Sequence, residues 1–147
     1  MSLAKKCLVL GGDGFLGSHL VDDLLARGYD VRVFDRFQKG RIKNLNHLKG
    51  KIEFYKGDFL NKWHVSRALK GVDYVFHFVS LSTPASTAND PQKEIKLNLE
   101  GTLQLLDLCV KHGVKKIIYP SSGGAVYGNA LDEVASETTQ ARPMSPY

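Results

Sequence analysis

The sequence predicts an α/β protein in which a doubly wound parallel sheet carries helices on both faces. Short apolar runs alternate with segments of helical periodicity, and a glycine-rich turn joins the first run to the first helix. Strands separated by helices pair in parallel through right-handed crossovers. The chain has 147 residues, 43% of them hydrophobic, which is enough for one domain with a buried core, and 1–147 is taken as that domain.

The pattern predicts five strands and four helical segments. The strands are short apolar runs, at 6–10, 31–34, 52–55, 73–78 and 115–119. Shorter helical segments cover 15–27, 42–48 and 62–69, and Trp63 and Val65 are expected on or near the buried side of the last. A longer helix starts at Pro91 and runs through Ile95, Leu99, Leu103, Leu106 and Val110. Glycines end three of the helices, at Gly28, Gly71 and Gly113, and nothing after Tyr119 is typical of a sixth strand.

Gly11, Gly14 and Gly17 follow the first strand and open the first helix. A tight turn, close approach of a pyrophosphate to the backbone and close packing of helix on strand all require glycine. Phe15 and Leu16 begin a helix whose N-terminal N–H groups favour phosphate. In this strand–turn–helix context, the spacing Gly-x-x-Gly-x-x-Gly predicts a Rossmann-type dinucleotide site.

Asp35 ends the second strand, 18 residues after Gly17. A carboxylate there accepts hydrogen bonds from both ribose hydroxyls of adenosine and repels a 2′-phosphate, which favours NAD over NADP. Arg36 follows directly and could contact a 2′-phosphate, so binding of NADP stays an alternative. Asp58 closes the third strand, where it either meets the adenine amino group or serves as a turn or helix-capping residue.

Composition and charge argue against several classes of protein. The net charge is +5 and the basic residues are scattered, which indicates a solvated face or an anionic small-molecule ligand rather than nucleic acid. No apolar run approaches the ~18 residues that span a bilayer, and the N-terminus is unlike a secretory signal. Cys7 and Cys109 do not make a disulfide framework, and no Cys/His cluster has metal-ligand spacing. We expect a cytoplasmic protein without a metal.

The motifs together resemble the extended short-chain dehydrogenase/reductase family, in its NAD-dependent nucleotide-sugar epimerase/dehydratase branch, which includes UDP-glucose 4-epimerase. Besides the glycine turn and Asp35, the resemblance rests on Gly57-Asp58-Phe59, His77-Phe78-Val79-Ser80, Asn98-Leu99-Glu100-Gly101-Thr102, Ser121-Ser122-Gly123-Gly124-Ala125-Val126-Tyr127-Gly128 and Ser145-Pro146-Tyr147. It implies cofactor contacts near Asp58 and Phe59, and a cofactor lining made by Phe78, Val79 and Ser80. It also implies that Ser121 lies at the ligand-binding edge of the sheet. Asn98 either holds the loops of the central strands or is a buried structural amide.

The same resemblance implies that Tyr147 is the catalytic tyrosine of a Tyr-x-x-x-Lys motif. A phenol with its ordinary pKa of about 10 is a poor base, and a lysine ammonium and the positive nicotinamide stabilise its phenolate. Hydride would pass from a sugar carbon to NAD and return to the other face of the ketone, which is 4-epimerisation of a UDP-sugar. The family's Ser/Thr position falls on Gly123, so its role is assigned to Ser122. Gly124 and Ala125 stand where dehydratases carry acidic residues.

The sequence ends at Tyr147, before the lysine of that motif and before a substrate domain. We therefore expect a truncated chain that is inactive as it stands. Its fifth strand would be left at a sheet edge, with homo-oligomerisation or poor solubility as the consequence. Two alternatives stay open: an NAD(P)-dependent reductase or sugar-nucleotide decarboxylase of the same superfamily, and a non-catalytic NAD-binding module.

Overall fold

The computed structural model describes residues 4–37, 42–87, 89–128 and 134–147. The strands of these ranges are β1 (Lys6–Leu10), β2 (Asp30–Asp35), β3 (Glu53–Lys56), β4 (Tyr74–His77) and β5 (Lys116–Ile118). They form one sheet in the order β3-β2-β1-β4-β5, and every pair is parallel. All five predicted strands are present, and the predicted Rossmann-type α/β class is confirmed. The chain moves outward from β1 in both directions, which places the switch point of the sheet between β1 and β4.

The helices of the described ranges are α1 (Phe15–Ala26), α2 (Lys62–Ala68), α3 (Pro84–Thr87), α4 (Pro91–Glu94), α5 (Glu100–His112) and α6 (Gly123–Tyr127). The predicted start at Pro91 is confirmed, because the Asp90 side chain caps α4 by accepting the Lys93 N–H. A π-helical segment, Ile95–Leu99, stands between α4 and α5. There the Glu100 N–H donates to the carbonyl of Ile95, five residues back.

The helix predicted for 42–48 is reduced to one 3₁₀ turn, Asn46–Leu48. Residues 43–45 lie outside any helix. Their backbone N–H groups donate to the Asp13 carboxylate, which holds them in a non-helical arrangement. The prediction of a helix was therefore wrong over the first half of this segment, because a distant side chain fixes the backbone.

The core is built around β1. β1 pairs with β2 on one side and β4 on the other, and its residues 7–10 are a continuous apolar run that is fully buried. One cluster packs α1 and the segment after β2 against the sheet, with Cys7, Val9, Val21, Leu24, Val31, Val33, Phe37, Leu45 and Leu48 as its buried members. This packing brings the carboxyl ends of β1 and β2 next to the start of α1.

The prediction that Trp63 lies on or near the buried side of its helix needs correction. Val65 is fully buried in α2, but Trp63 is 60% exposed, because residues two positions apart do not share a helix face. The Trp63 ring instead lies 4.5 Å from the Arg67 guanidinium. In the long helical stretch the apolar residues that marked the pattern are exposed, and α5 buries a different set: Gly101, Leu105, Leu108 and Cys109.

The chain divides into two compact units. The first comprises the residues up to Val79 together with Gly101–Tyr119, and it contains the whole sheet; the second comprises Ser80–Glu100 and Pro120–Tyr147. Within the described ranges, no helix combines the length and apolarity needed to cross a bilayer.

Candidate cofactor-binding site

The glycine turn lies at the carboxyl end of β1, and its backbone is crowded. Gly11 has φ +76°, and a Cβ there would lie 2.9 Å from the backbone carbonyl of Phe78. A Cβ on Gly17 would lie 2.3 Å from the Gly11 carbonyl oxygen. The tight turn and the close packing of helix against turn that were predicted from these two glycines are therefore present. The same geometry places Phe78 and Val79, which follow β4, directly beside the turn.

The N-terminus of α1 is open to a ligand. Gly14 is its N-cap residue, and among the described residues no side chain caps the helix. The side chains of Phe15 and Leu16 are 75% and 61% exposed. Large apolar side chains left exposed beside uncapped N–H groups fit a site that a phosphate-containing ligand covers.

The Asp35 carboxylate is held in place by two backbone N–H groups. Its Oδ2 accepts the N–H of Asp13 at 3.1 Å, and its Oδ1 accepts the N–H of Arg36 at 2.7 Å. Each oxygen retains acceptor capacity for a further donor. The carboxylate therefore has a fixed position next to the glycine turn.

A cavity of about 410 Å³ opens at the carboxyl ends of β2 and β3, lined by Arg36, Lys56, Gly57, Asp58 and His64. The Arg36 guanidinium lies 3.9 Å from the Asp58 carboxylate at its rim. Asp58 also has a turn role, because its Oδ1 accepts the Leu60 N–H at 3.0 Å, whereas the N-cap of α2 is Asn61. The cavity offers both a cation and a carboxylate to a polar heterocycle.

Phe59 lies beneath this edge of the sheet rather than on it. Its side chain is 2% exposed, and its ring centroid lies 5.0 Å from that of His77. A Cβ on Gly101 would lie 2.7 Å from the Phe59 ring, so α5 approaches closely here. Any contact of Phe59 with a bound cofactor is thereby restricted to its backbone.

His77 ends β4 and is 2% exposed. Its Nε2 lies 3.0 Å from the Thr102 hydroxyl, and its Nδ1 has no hydrogen-bond partner within the described ranges. Burial lowers the pKa of His77 to about 4, so the ring is neutral near pH 7. Its position below the sheet edge, packed against Phe59 and Tyr119, makes it a support of the site.

In the second unit, Asn98 connects the π-helical segment to the loop after β4. Its Oδ1 accepts the Leu81 N–H at 3.0 Å, and its Nδ2 donates to the Ser82 hydroxyl at 2.6 Å. Glu94 is 8% exposed and accepts hydrogen bonds from both Ser82 and Asn98. Ser80 is exposed, and its hydroxyl donates to the Ser82 carbonyl at 2.9 Å. The amide of Asn98 therefore fixes the backbone beyond the predicted cofactor lining.

The predicted catalytic residues also belong to the second unit. Ser121 and Ser122 are exposed, and the Ser122 hydroxyl accepts the Ala125 N–H as the N-cap of α6. Accepting this N–H leaves the Ser122 hydroxyl able to donate its own proton. A Cβ on Gly123 would meet nothing within 4 Å. The position where a Ser or Thr hydroxyl was expected from the resemblance therefore carries no side chain and is open. The Tyr147 side chain is 39% exposed.

Sequence reasoning missed two groups of residues. Asp13 contacts both Asp35 and residues 43–45, and the available signal was an acidic side chain inside a turn expected to receive a pyrophosphate. Ser82 and Glu94 form a buried pair, 12 residues apart, for which no sequence motif gave a signal. Within the described ranges, no group of three His, Cys, Asp or Glu side chains is placed to hold a metal.

The chain is similar to proteins of known sequence and structure. A family model described as the NAD dependent epimerase/dehydratase family matches residues 7–147. The sterol-4-alpha-carboxylate 3-dehydrogenase, decarboxylating, of Mus musculus is 39% identical over 127 residues, which cover 86% of this chain and 32% of that protein. A putative UDP-glucose 4-epimerase of Methanocaldococcus jannaschii is 35% identical, over 95% of this chain and 45% of that protein.

The chain is also similar to a solved structure. The UDP-glucose 4-epimerase of Thermus thermophilus, in complex with NAD, superposes with a TM-score of 0.85 and 40% identity, over 97% of this chain and 46% of that chain. The chain thus spans less than half the length of these relatives.

Proposed function

We propose that this chain, which belongs to the NAD dependent epimerase/dehydratase family, is the cofactor-binding part of an NAD-dependent nucleotide-sugar 4-epimerase. The family predicted from sequence is thereby confirmed, and the family is NAD-dependent. The observation that carries the proposal is the crowded glycine turn beside a fixed Asp35 carboxylate. We also propose that residues 1–147 form one NAD-binding domain.

The residues present fit NAD. A Cβ at Gly11 or Gly17 would clash with the protein's own backbone, so these glycines keep the turn compact, and the uncapped N-terminus of α1 supplies N–H donors for a pyrophosphate. The free acceptor capacity of Asp35 suits two ribose hydroxyls. The cavity beside Arg36 and Asp58 would take the adenine, and the backbone of Phe78 and Val79 would lie along the dinucleotide.

The chemistry follows from the hydroxyl groups of the second unit. Bound NAD would accept a hydride from the substrate carbon and return it. Tyr147 would take the proton of the substrate hydroxyl as the ketone forms and give it back in the reverse step. Ser122 would donate a hydrogen bond to the same substrate oxygen, because its Oγ accepts from Ala125 and keeps its own proton free. The substrate would be a UDP-sugar, and its specific contacts are expected outside these residues.

A second candidate is NAD-dependent oxidation coupled to decarboxylation. The observation in its favour is the 39% identity to a relative named as a decarboxylating 3-dehydrogenase. Both reactions begin with oxidation of a secondary alcohol to a ketone. Epimerisation regenerates NAD in each cycle, whereas oxidative decarboxylation can leave net NADH.

A homo-oligomer is proposed as the working state of the protein. Leu103, Leu106 and Val110 of α5 are 55%, 43% and 82% exposed. Three apolar side chains at spacings of three and four residues form one stripe on the helix. A second copy of the chain would cover this stripe.

The first experiment is a calorimetric titration of the 147-residue chain with NAD, with Gly17→Ala as the matched negative control. Saturable binding that is lost in Gly17→Ala supports the cofactor site, and no binding contradicts it. The two reactions are then separated in a longer protein that carries these residues together with the expected substrate contacts, since the 147-residue chain is expected to be inactive as it stands. In that protein, formation of UDP-galactose from UDP-glucose without net NADH supports epimerisation, whereas NAD binding without turnover of any nucleotide sugar supports a non-catalytic module.

A further inference from the structure

The glycine turn carries one acidic side chain, and both of its carboxylate oxygens accept hydrogen bonds. Asp13 Oδ1 accepts the N–H groups of Asn44 at 2.8 Å and Leu45 at 3.2 Å, and Oδ2 accepts the N–H of Lys43 at 2.7 Å. The Asn44 side-chain amide donates to the Asp13 carbonyl at 2.7 Å. Four hydrogen bonds therefore tie one residue of the turn to three consecutive residues beyond β2.

The backbone of Asp13 makes a further connection. Its N–H donates to Asp35 Oδ2, so the turn holds the carboxylate assigned to the ribose. The segment that Asp13 binds is anchored at its far end, because Leu45 is fully buried in the core. The glycine turn, the end of β2 and residues 43–45 thus form one hydrogen-bonded unit.

We propose that Asp13 is a positioning residue for the dinucleotide, which locks the glycine turn, the Asp35 carboxylate and residues 43–45 in the arrangement that accepts the adenosine ribose of NAD. The inference rests on the NAD binding proposed above. A free carboxylate beside a pyrophosphate would repel it, whereas three N–H donors disperse the charge of Asp13. Its position in the turn is explained by a scaffold role, since both of its carboxylate oxygens are held facing residues 43–45.

The positioning also bears on the choice between NAD and NADP. A carboxylate held in advance loses little conformational freedom when two ribose hydroxyls bind to it. A 2′-phosphate at the same place would have to displace Asp35 from the hydrogen bond with the Asp13 N–H. When residues 43–45 are released, Asp35 gains room to move, so NAD binding weakens while NADP binding does not.

The test compares Asp13→Ala and Asp13→Asn with the wild-type chain, with Asp23→Ala as the matched control. Asp23→Ala also removes one negative charge, but its side chain is 52% exposed and pairs with Arg27. Dissociation constants for NAD and NADP are measured by calorimetry, and the free energy of unfolding by urea titration. Asp13→Ala is expected to raise the Kd for NAD roughly tenfold and to leave the Kd for NADP unchanged. Asp13→Asn keeps one acceptor oxygen, so its Kd for NAD is expected to rise less. Asp23→Ala is expected to bind NAD and NADP like the wild type.

A purely structural role gives a different result. In that case Asp13→Ala lowers the free energy of unfolding while the ratio of the two dissociation constants stays as in the wild type, which overturns the proposal. If Asp13→Ala does not fold, Asn44→Ala removes the amide bond to the Asp13 carbonyl alone, and an unchanged NAD-to-NADP ratio in that variant also overturns it. A wild-type chain that binds neither dinucleotide contradicts the proposed function itself. If the wild-type chain binds NAD and the variants keep the wild-type preference for NAD over NADP, only the role of Asp13 is contradicted.

Discussion

A Cβ atom on Gly17 would lie 2.3 Å from the carbonyl oxygen of Gly11. The first turn of α1 therefore rests directly on the backbone of the β1–α1 turn, with no room for a side chain between them. The neighbouring backbone lacks the freedom to retreat, because the Gly11 N–H donates to the Phe34 carbonyl at 2.8 Å. The approach of helix to turn is thus set by two glycines.

The first prediction concerns Gly17→Ala. The added methyl group must push α1 away from the turn, and overpacking of this kind costs about 1–3 kcal/mol of the free energy of unfolding. NAD binding should be lost as well, because the N–H groups of α1 move. Urea denaturation and calorimetry check the two effects. Gly123→Ala is the control, since nothing lies within 4 Å of its Cβ position, and this variant should not be destabilised.

The second prediction concerns His77 and the pH dependence of stability. Burial lowers the pKa of His77 from 6.5 to about 4. Between these values the unfolded chain binds the proton more readily, so the free energy of unfolding should fall as the pH drops from 6.5 to 4. The loss attributable to this one group is at most about 3 kcal/mol. Denaturation curves of wild type and His77→Gln across this range measure it. A wild-type curve parallel to that of His77→Gln would contradict the assignment.

The third prediction concerns Arg32, whose side chain is 11% exposed. Its guanidinium donates to the carbonyl oxygens of Ala68 and Lys70 at the end of α2 and to the Glu53 carboxylate. Arg32→Met leaves the two carbonyl oxygens without this donor and leaves Glu53 with Lys6 as a remaining partner, and it should cost about 1–3 kcal/mol in the free energy of unfolding. Arg27→Met is the matched control. Arg27 is 67% exposed and pairs with Asp23, and its loss should cost less than about 0.5 kcal/mol.

The fourth prediction concerns the two thiols. Burial raises the pKa of Cys7 and of Cys109 to about 11, so neither is a thiolate near neutral pH. Native protein at pH 7 should react very slowly with iodoacetamide, and urea-unfolded protein should react at both positions. Mass spectrometry counts the labels. Rapid labelling of the native chain would show that one of these strands or helices opens readily.

The fifth prediction concerns self-association through α5. The double variant Leu103→Glu with Val110→Glu places two carboxylates in the exposed apolar stripe and should shift the sedimentation coefficient to that of a monomer. Lys111→Glu changes the charge of the same helix at an exposed position outside the stripe and should leave the assembly intact. A wild-type chain that sediments as a monomer at micromolar concentration would contradict the proposed oligomer.

Several features of the fold were predictable from local sequence. The apolar runs located all five strands to within a few residues, and the start of α4 followed from Pro91, whose missing N–H costs little at the first position of a helix. The facing of Trp63 was not predictable in this way. One isolated aromatic carries no periodicity, and its stacking on Arg67 provides an alternative to burial. The prediction of a helix over 42–48 was wrong for another reason. Backbone N–H groups of this segment donate to Asp13, about 30 residues earlier.

The sequence by itself determined the parallel sheet, the glycine turn at its carboxyl edge and the acidic end of β2, because hydrophobic period and glycine placement act over a few residues. The tertiary structure decided which groups support that edge. The hydrogen bonds of Asp13 with residues 43–45 and of His77 with Thr102 join residues 25 to 32 positions apart. Their energy depends on distances that exist only once the sheet has brought the ends of its strands together, so no local pattern encodes them.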